Sequence, residues 1–101
     1  MGWRVQRHQT FLHRALRDWS QSVKAANREE LKTLTDIVRN VYDRVVKVPS
    51  NLLVPLTSQR AKVRRVSALS APLYERRQLL LELGTNLVPV IRAVLKRLRH
   101  E

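Results

Sequence analysis

The residues of this chain best placed to do chemistry are its cations, and the chemistry they suit is the binding of phosphate. Lysine and arginine number 20 against 8 acids, for a formal net charge of +12 on 101 residues. Fifteen of the cations are arginine and five are lysine. A compact body this basic repels itself, and a polyanionic partner relieves the repulsion. Nucleic acid is the first candidate partner, with DNA favoured over RNA, and an anionic membrane is the second.

The cations are not spread evenly. Arg60, Lys62, Arg64 and Arg65 fall within six residues with no acid among them. Arg7, Arg14, Arg17 and Lys24 lie roughly opposite an apolar stripe near the start of the chain, with Asp18 the one acid nearby. Arg92, Lys96 and Arg99 follow one side of the last segment. With Arg76, these twelve residues form the candidate phosphate-contacting set. By contrast, Arg28, Lys32 and Arg39 have Glu29, Asp36 and Asp43 beside them at helical pairing distances, so their charges partly cancel. One basic stripe on a small helical protein is often only a solvated face. Three acid-poor stripes on so basic a chain argue for a ligand.

Other chemistries find little support. His8 and His13 are five residues apart and fall on different helical faces, and with His100 they make no metal site, so they read as surface histidines. There is no paired carboxylate on an apolar wall, no nucleophile elbow and no glycine-rich phosphate loop. The expectation is a protein that is not an enzyme, with no cofactor, no metal and no small-molecule substrate. With no cysteine, disulfides and thiolate metal sites are excluded.

The elements that must position the cations are helical throughout. Glycine occurs twice and proline four times, so the chain is seldom interrupted. Hydrophobic periodicity predicts an all-α single domain over 1–101, a compact bundle of about five helices at roughly 5–24, 27–47, 57–68, 71–83 and 87–99. Val5, Leu12, Leu16, Trp19 and Val23 line one face of the first. Asn27 and Glu30 have capping-box spacing before the second, whose stripe runs Leu31, Leu34, Ile37, Val38, Val41, Tyr42, Val45. This helix is expected to be the structural centre of the core.

Residues 48–56 read as an extended connection, because Pro49 and Pro55 push their predecessors away from helix; within it, Leu52-Leu53-Val54 is the one strand-like run. Thr57 reads as the next N-cap, with Leu56 and Ala61 as its staple. Ser70 reads as another, with Leu69 and Tyr74 at staple spacing. Gly84 reads as a helix stop, and Pro89 as a residue of the following helix's first turn.

The corner around Ser70 and Pro72 superficially suggests a helix-turn-helix, in which Tyr74, Arg76, Arg77 and Gln78 would read bases. Trp19 is in register with Leu12 and Leu16, so packing suits it better than base stacking, and Trp3 could anchor at an interface. The acid-poor, arginine-bearing first 24 residues also have the character of a mitochondrial transit peptide. No apolar run approaches the roughly 18 residues of a membrane span, the longest being of the kind Leu79-Leu80-Leu81.

Four stretches resemble small basic proteins encoded by Polinton-like and adintovirus-type elements. They are His8 to Leu16; Leu31 to Tyr42 with its internal Asn40-Val41; Val54-Pro55-Leu56-Thr57 with the basic run Arg60 to Arg65; and Arg76-Arg77-Gln78-Leu79-Leu80 through Gly84 to Leu95. This chain departs from the family's paired glycines, carrying Gly84-Thr85-Asn86 instead. The resemblance implies a virion- or genome-associated protein, located in the virion or the host nucleus, with DNA packaging or capsid association as its role. Two other functions compete. The first is a structural protein that docks on a capsid or ribonucleoprotein, or on further copies of itself. The second is an amphipathic membrane-active protein working through Leu87 to Leu98 with Arg92, Lys96 and Arg97.

Overall fold

The computed structural model describes residues 6–68 and 70–99, with the side chains of 98 and 99 excepted. Six helices lie within those residues: α1 (Gln9–Arg17), α2 (Trp19–Ala25), α3 (Arg28–Tyr42), α4 (Ser50–Thr57), α5 (Arg60–Ser67) and α6 (Leu73–Arg99). No strand occurs among the described residues, as an all-α reading requires. Val5, Trp3, Leu69 and His100, and the side chains of Leu98 and Arg99, lie outside the described residues, and with them the stripe position of Val5, the anchor role of Trp3 and the staple of Leu69 with Tyr74.

The core forms where α3 meets α6. Leu31, Leu34, Ile37, Val38 and Val41 of α3 are buried with Leu80, Leu83, Leu87, Ile91 and Leu95 of α6. Phe11 and Leu12 of α1, Val23 of α2, Leu56 of α4, and Val63 and Val66 of α5 complete the cluster. Full burial of each such aliphatic side chain contributes about 1.5–3 kcal/mol. The capping box forms as the spacing predicts: Asn27 Oδ1 accepts from the Glu30 amide, and Glu30 Oε1 accepts from the Asn27 amide, both at 2.9 Å.

Four boundaries differ from the periodicity, each for a local reason. The first amphipathic segment is two helices. Asp18 leaves helical geometry at φ −147° and accepts the Gln21 amide with its side chain, so it caps α2 instead of continuing α1. The second predicted helix ends at Tyr42, not Lys47. Arg44 adopts φ 61°; its amide bonds to Val41 O, and that of Val45 to Asn40 O. That is a Schellman ending with arginine in the left-handed position. The turn throws Val45 out of the apolar stripe, leaving it 70% exposed.

The proline connection at 48–56 is helical from Ser50, with Pro55 inside α4. In so short a helix the missing amide removes a single bond, while Leu56 is buried. Thr57 therefore ends a helix instead of capping one, its hydroxyl donating to Leu53 O at 3.0 Å.

The two C-terminal helices are one. α6 begins at Leu73, beyond Ser70, and passes through both Gly84 and Pro89. Gly84 has no positive φ and so is not a left-handed stop. Its lack of a side chain is used by Trp19, whose indole sits where a Cβ would go. Pro89 frees only the Thr85 carbonyl, at an exposed position. Uninterrupted, Leu73–Arg97 is long and apolar enough to cross a membrane by length and composition, contrary to the reading of the runs one by one; in this fold its apolar face is spent on the core.

Candidate nucleic-acid interface

The fold sorts the cations into those it uses and those it leaves to solvent. Four arginines donate to backbone carbonyls, three of them at helix C-termini. Arg77 Nη1 reaches Val23 O, Lys24 O and Ala26 O at 3.1, 2.9 and 2.8 Å, closing the C-terminus of α2. Arg39 donates to Ser67 O at 2.6 Å and Arg76 to Ala68 O at 2.8 Å, so two guanidinium groups meet the C-terminus of α5. Arg97 donates to Lys47 O at 3.2 Å. Helix C-termini carry unsatisfied carbonyls and partial negative charge, which a forked cation satisfies well.

The α5 cluster is only half free. Glu75 and Glu82, far along the sequence, come across from α6. Glu75 binds both the Nε and Nη2 of Arg65, the latter at 2.8 Å, and Glu82 lies 3.1 Å from Lys62 Nζ. The cluster expected to have no acid near it therefore has two. The hydrogen bond from Arg65 holds the Glu75 carboxyl below its ordinary range, and Glu75 in turn raises Arg65. Glu82 is lowered by its bond to Lys62 and then by the Gln78 amide. Arg60 and Arg64 remain exposed, with no ion pair or side-chain hydrogen bond among the described residues.

The corner that suggested base readout is similarly occupied. Arg76 and Arg77 hold carbonyls and Gln78 binds Glu82 at 3.2 Å; Tyr74 is exposed. No pair of recognition side chains at the start of α6 stays free to read a base edge.

Of the remaining predicted residues, Arg7 is exposed ahead of α1, Arg17 ends α1, and Lys24 stands exposed in the last turn of α2. Arg14 turns toward a cavity of about 300 Å³ shared with Asp18 and Glu30, whose carboxylates repel an anion. Arg92 and Lys96 are brought to a different place. With His13 and Leu16 of α1 and Leu95 of α6 they line an open cleft of about 310 Å³. The Arg99 side chain lies outside the described residues. No family model, curated protein or solved structure matches the chain.

His13 is exposed, as a surface histidine should be, but sequence reasoning did not place it in a shared cleft with Arg92 and Lys96, on a helix nearly 80 residues away. The available signal was its position one turn before Arg17 and three residues before Leu16, at the border of the apolar and basic faces. His8 is not a free surface group either. Its Nδ1 lies 2.7 Å from the Thr33 hydroxyl, whose own proton goes to Glu29 O at 3.0 Å, so Nδ1 is the donor. Among the described residues no group of three His, Asp or Glu side chains comes together to hold a metal ion.

Proposed function

We propose that this is a non-enzymatic nucleic-acid-binding protein that holds phosphates without reading sequence, in the compaction or packaging of a genome. The observation that carries the reading is where the two signs of charge go. Glu29, Glu75 and Glu82 are drawn into ion pairs, and Asp18 and Glu30 into helix caps. Arg14, Arg17, Lys24, Arg28, Arg60, Arg64, Arg92 and Lys96 are left exposed with no ion pair or side-chain hydrogen bond among the described residues. A surface arranged in this way neutralises a polyanion, and the spread of cations over α1, α2, α3, α5 and α6 suits backbone contact more than base contact. DNA ahead of RNA, and the packaging role, are supported by the resemblance to proteins of Polinton-like elements.

The test is a fluorescence-anisotropy titration of the protein against several unrelated DNA duplexes between 50 and 200 mM salt. Affinities should agree across sequences, and log K should fall linearly with log salt, by about 0.9 per phosphate neutralised. An affinity indifferent to salt, or confined to one sequence, would overturn the reading.

A further inference from the structure

The cleft between α1 and α6 has an apolar floor. Arg92 and Lys96, one turn apart on α6, form one wall, and His13 of α1 stands with them. Leu16 and Leu95 lie between. Leu95 is 5% exposed and Leu16 half-buried, so the floor is continuous with the core. The cleft holds about 310 Å³, at the lower end of the range of small-ligand sites. The cavity beside Arg14 is of similar size but contains the carboxylates of Asp18 and Glu30 and cannot serve the same ligand.

A duplex does not exploit such a shape. Its phosphates lie on a convex surface and its bases are stacked and paired, so nothing apolar reaches Leu16 or Leu95. An unpaired nucleotide offers what the cleft lacks. Its phosphate can meet Arg92 and Lys96, while its base can lie over the leucines and against the His13 ring or the Arg92 guanidinium, both of which stack on bases.

We infer that the α1–α6 cleft is a binding slot for one unpaired nucleotide, and that the protein therefore prefers single-stranded nucleic acid. The inference deepens the phosphate-binding reading and rests on it. Arg60 and Arg64 would then supply general phosphate affinity, and Arg92, Lys96 and His13 the discrimination between strand states. The two regions are well separated: Glu82, which meets α5, precedes Arg92 by ten residues, about 15 Å along the α6 axis.

The experiment compares a labelled oligothymidylate with a duplex of equal phosphate count, by anisotropy across a salt series, for the full chain and three variants. The wild type should bind the single strand on the order of tenfold more tightly. Arg92→Gln/Lys96→Gln should lose that preference and flatten the single-strand salt slope by about 0.7 per lost contact. His13→Ala should lose most of the preference at unchanged slope, which a change of bulk charge would not do. Arg60→Gln/Arg64→Gln should keep the preference while weakening both ligands. The side chains changed are solvent-facing, and circular dichroism verifies that each variant folds. If the wild type binds both ligands equally, or keeps its preference in the cleft variants, the slot is refuted while the phosphate-binding reading stands. If neither ligand binds, and vesicles of anionic lipid do, both fall.

Discussion

Trp19 occupies the space that a side chain at Gly84 would need. A Cβ built on Gly84 would stand 2.5 Å from the indole Nε1, and that nitrogen donates at 2.9 Å to the carbonyl of Leu80, one turn earlier on α6. The glycine and the tryptophan are thus one packing unit, which joins the start of α2 to the middle of α6. Gly84→Ala should cost about 1–3 kcal/mol through overpacking. In a Trp19→Ala background the same change should become neutral or favourable by up to about 1 kcal/mol, because alanine is the better helix former. Urea denaturation of the four proteins completes the cycle, and equal costs in both backgrounds would show that the ring does not set the glycine requirement.

Arg44 stands in the left-handed position of the α3 ending. A non-glycine residue there costs about 1 kcal/mol or more. Arg44→Gly should therefore raise stability by about 1 kcal/mol, or roughly 4–8 °C in melting temperature for a domain of this size. Calorimetry checks it, and a lowered melting temperature would mean that the arginine side chain makes a contact outweighing the strain.

On α5, two pairs of cations with equal charge should behave differently. Arg60→Gln/Arg64→Gln removes exposed cations and should flatten the salt dependence of duplex binding by up to about two units. Lys62→Gln/Arg65→Gln removes cations already engaged by Glu82 and Glu75, and should change binding less. Equal losses would show that only total charge matters.

Acid should loosen the α5–α6 contact. Glu75 and Glu82 are both held below the ordinary carboxylate range by their cationic partners. A lowered folded value means that stability is present in full above the unfolded value, about 4.3, and is lost as pH falls through the folded one. Thermal melts from about pH 5 to 3 should fall less steeply for Glu75→Gln/Glu82→Gln than for the wild type. Glu82 is exposed and Glu75 partly so, so the difference should be small, and parallel curves would show that the pairs add nothing to acid stability.

What could be read from the sequence was local. The Asn27–Glu30 capping box and the α3 stripe to Val41 depend on residues within a few turns, and both form as their spacing predicts. What could not be read depended on distant partners. Gly84 looks like a stop until Trp19 is seen on it, 65 positions earlier. The α5 cations look acid-free until α6 brings Glu75 and Glu82 to them. Arg77 looks like a recognition side chain until the carbonyls at the end of α2 are found around it. The cleft was half legible: Arg92 and Lys96 were visible as a basic side of one helix, but the His13 that completes it comes from another.

The single long helix α6 touches each of the five helices that precede it. Synthesis runs from the N-terminus, so α1 to α5 emerge from the ribosome before the element that joins them. Until then the apolar faces of α1 and α3 have no α6 to cover them, and Arg77, Glu75 and Glu82 are not yet present to close α2 or shield α5. Docking of α6 adds its contacts to all five at once, onto the α1–α2, α3–α5 and α4–α5 contacts that do not need it, which calls for a late, cooperative step. Docking of α6 should then set the rate of the main refolding phase. Stopped-flow refolding of a Trp3→Phe variant, followed through Trp19, whose ring lies on α6, would report that step directly.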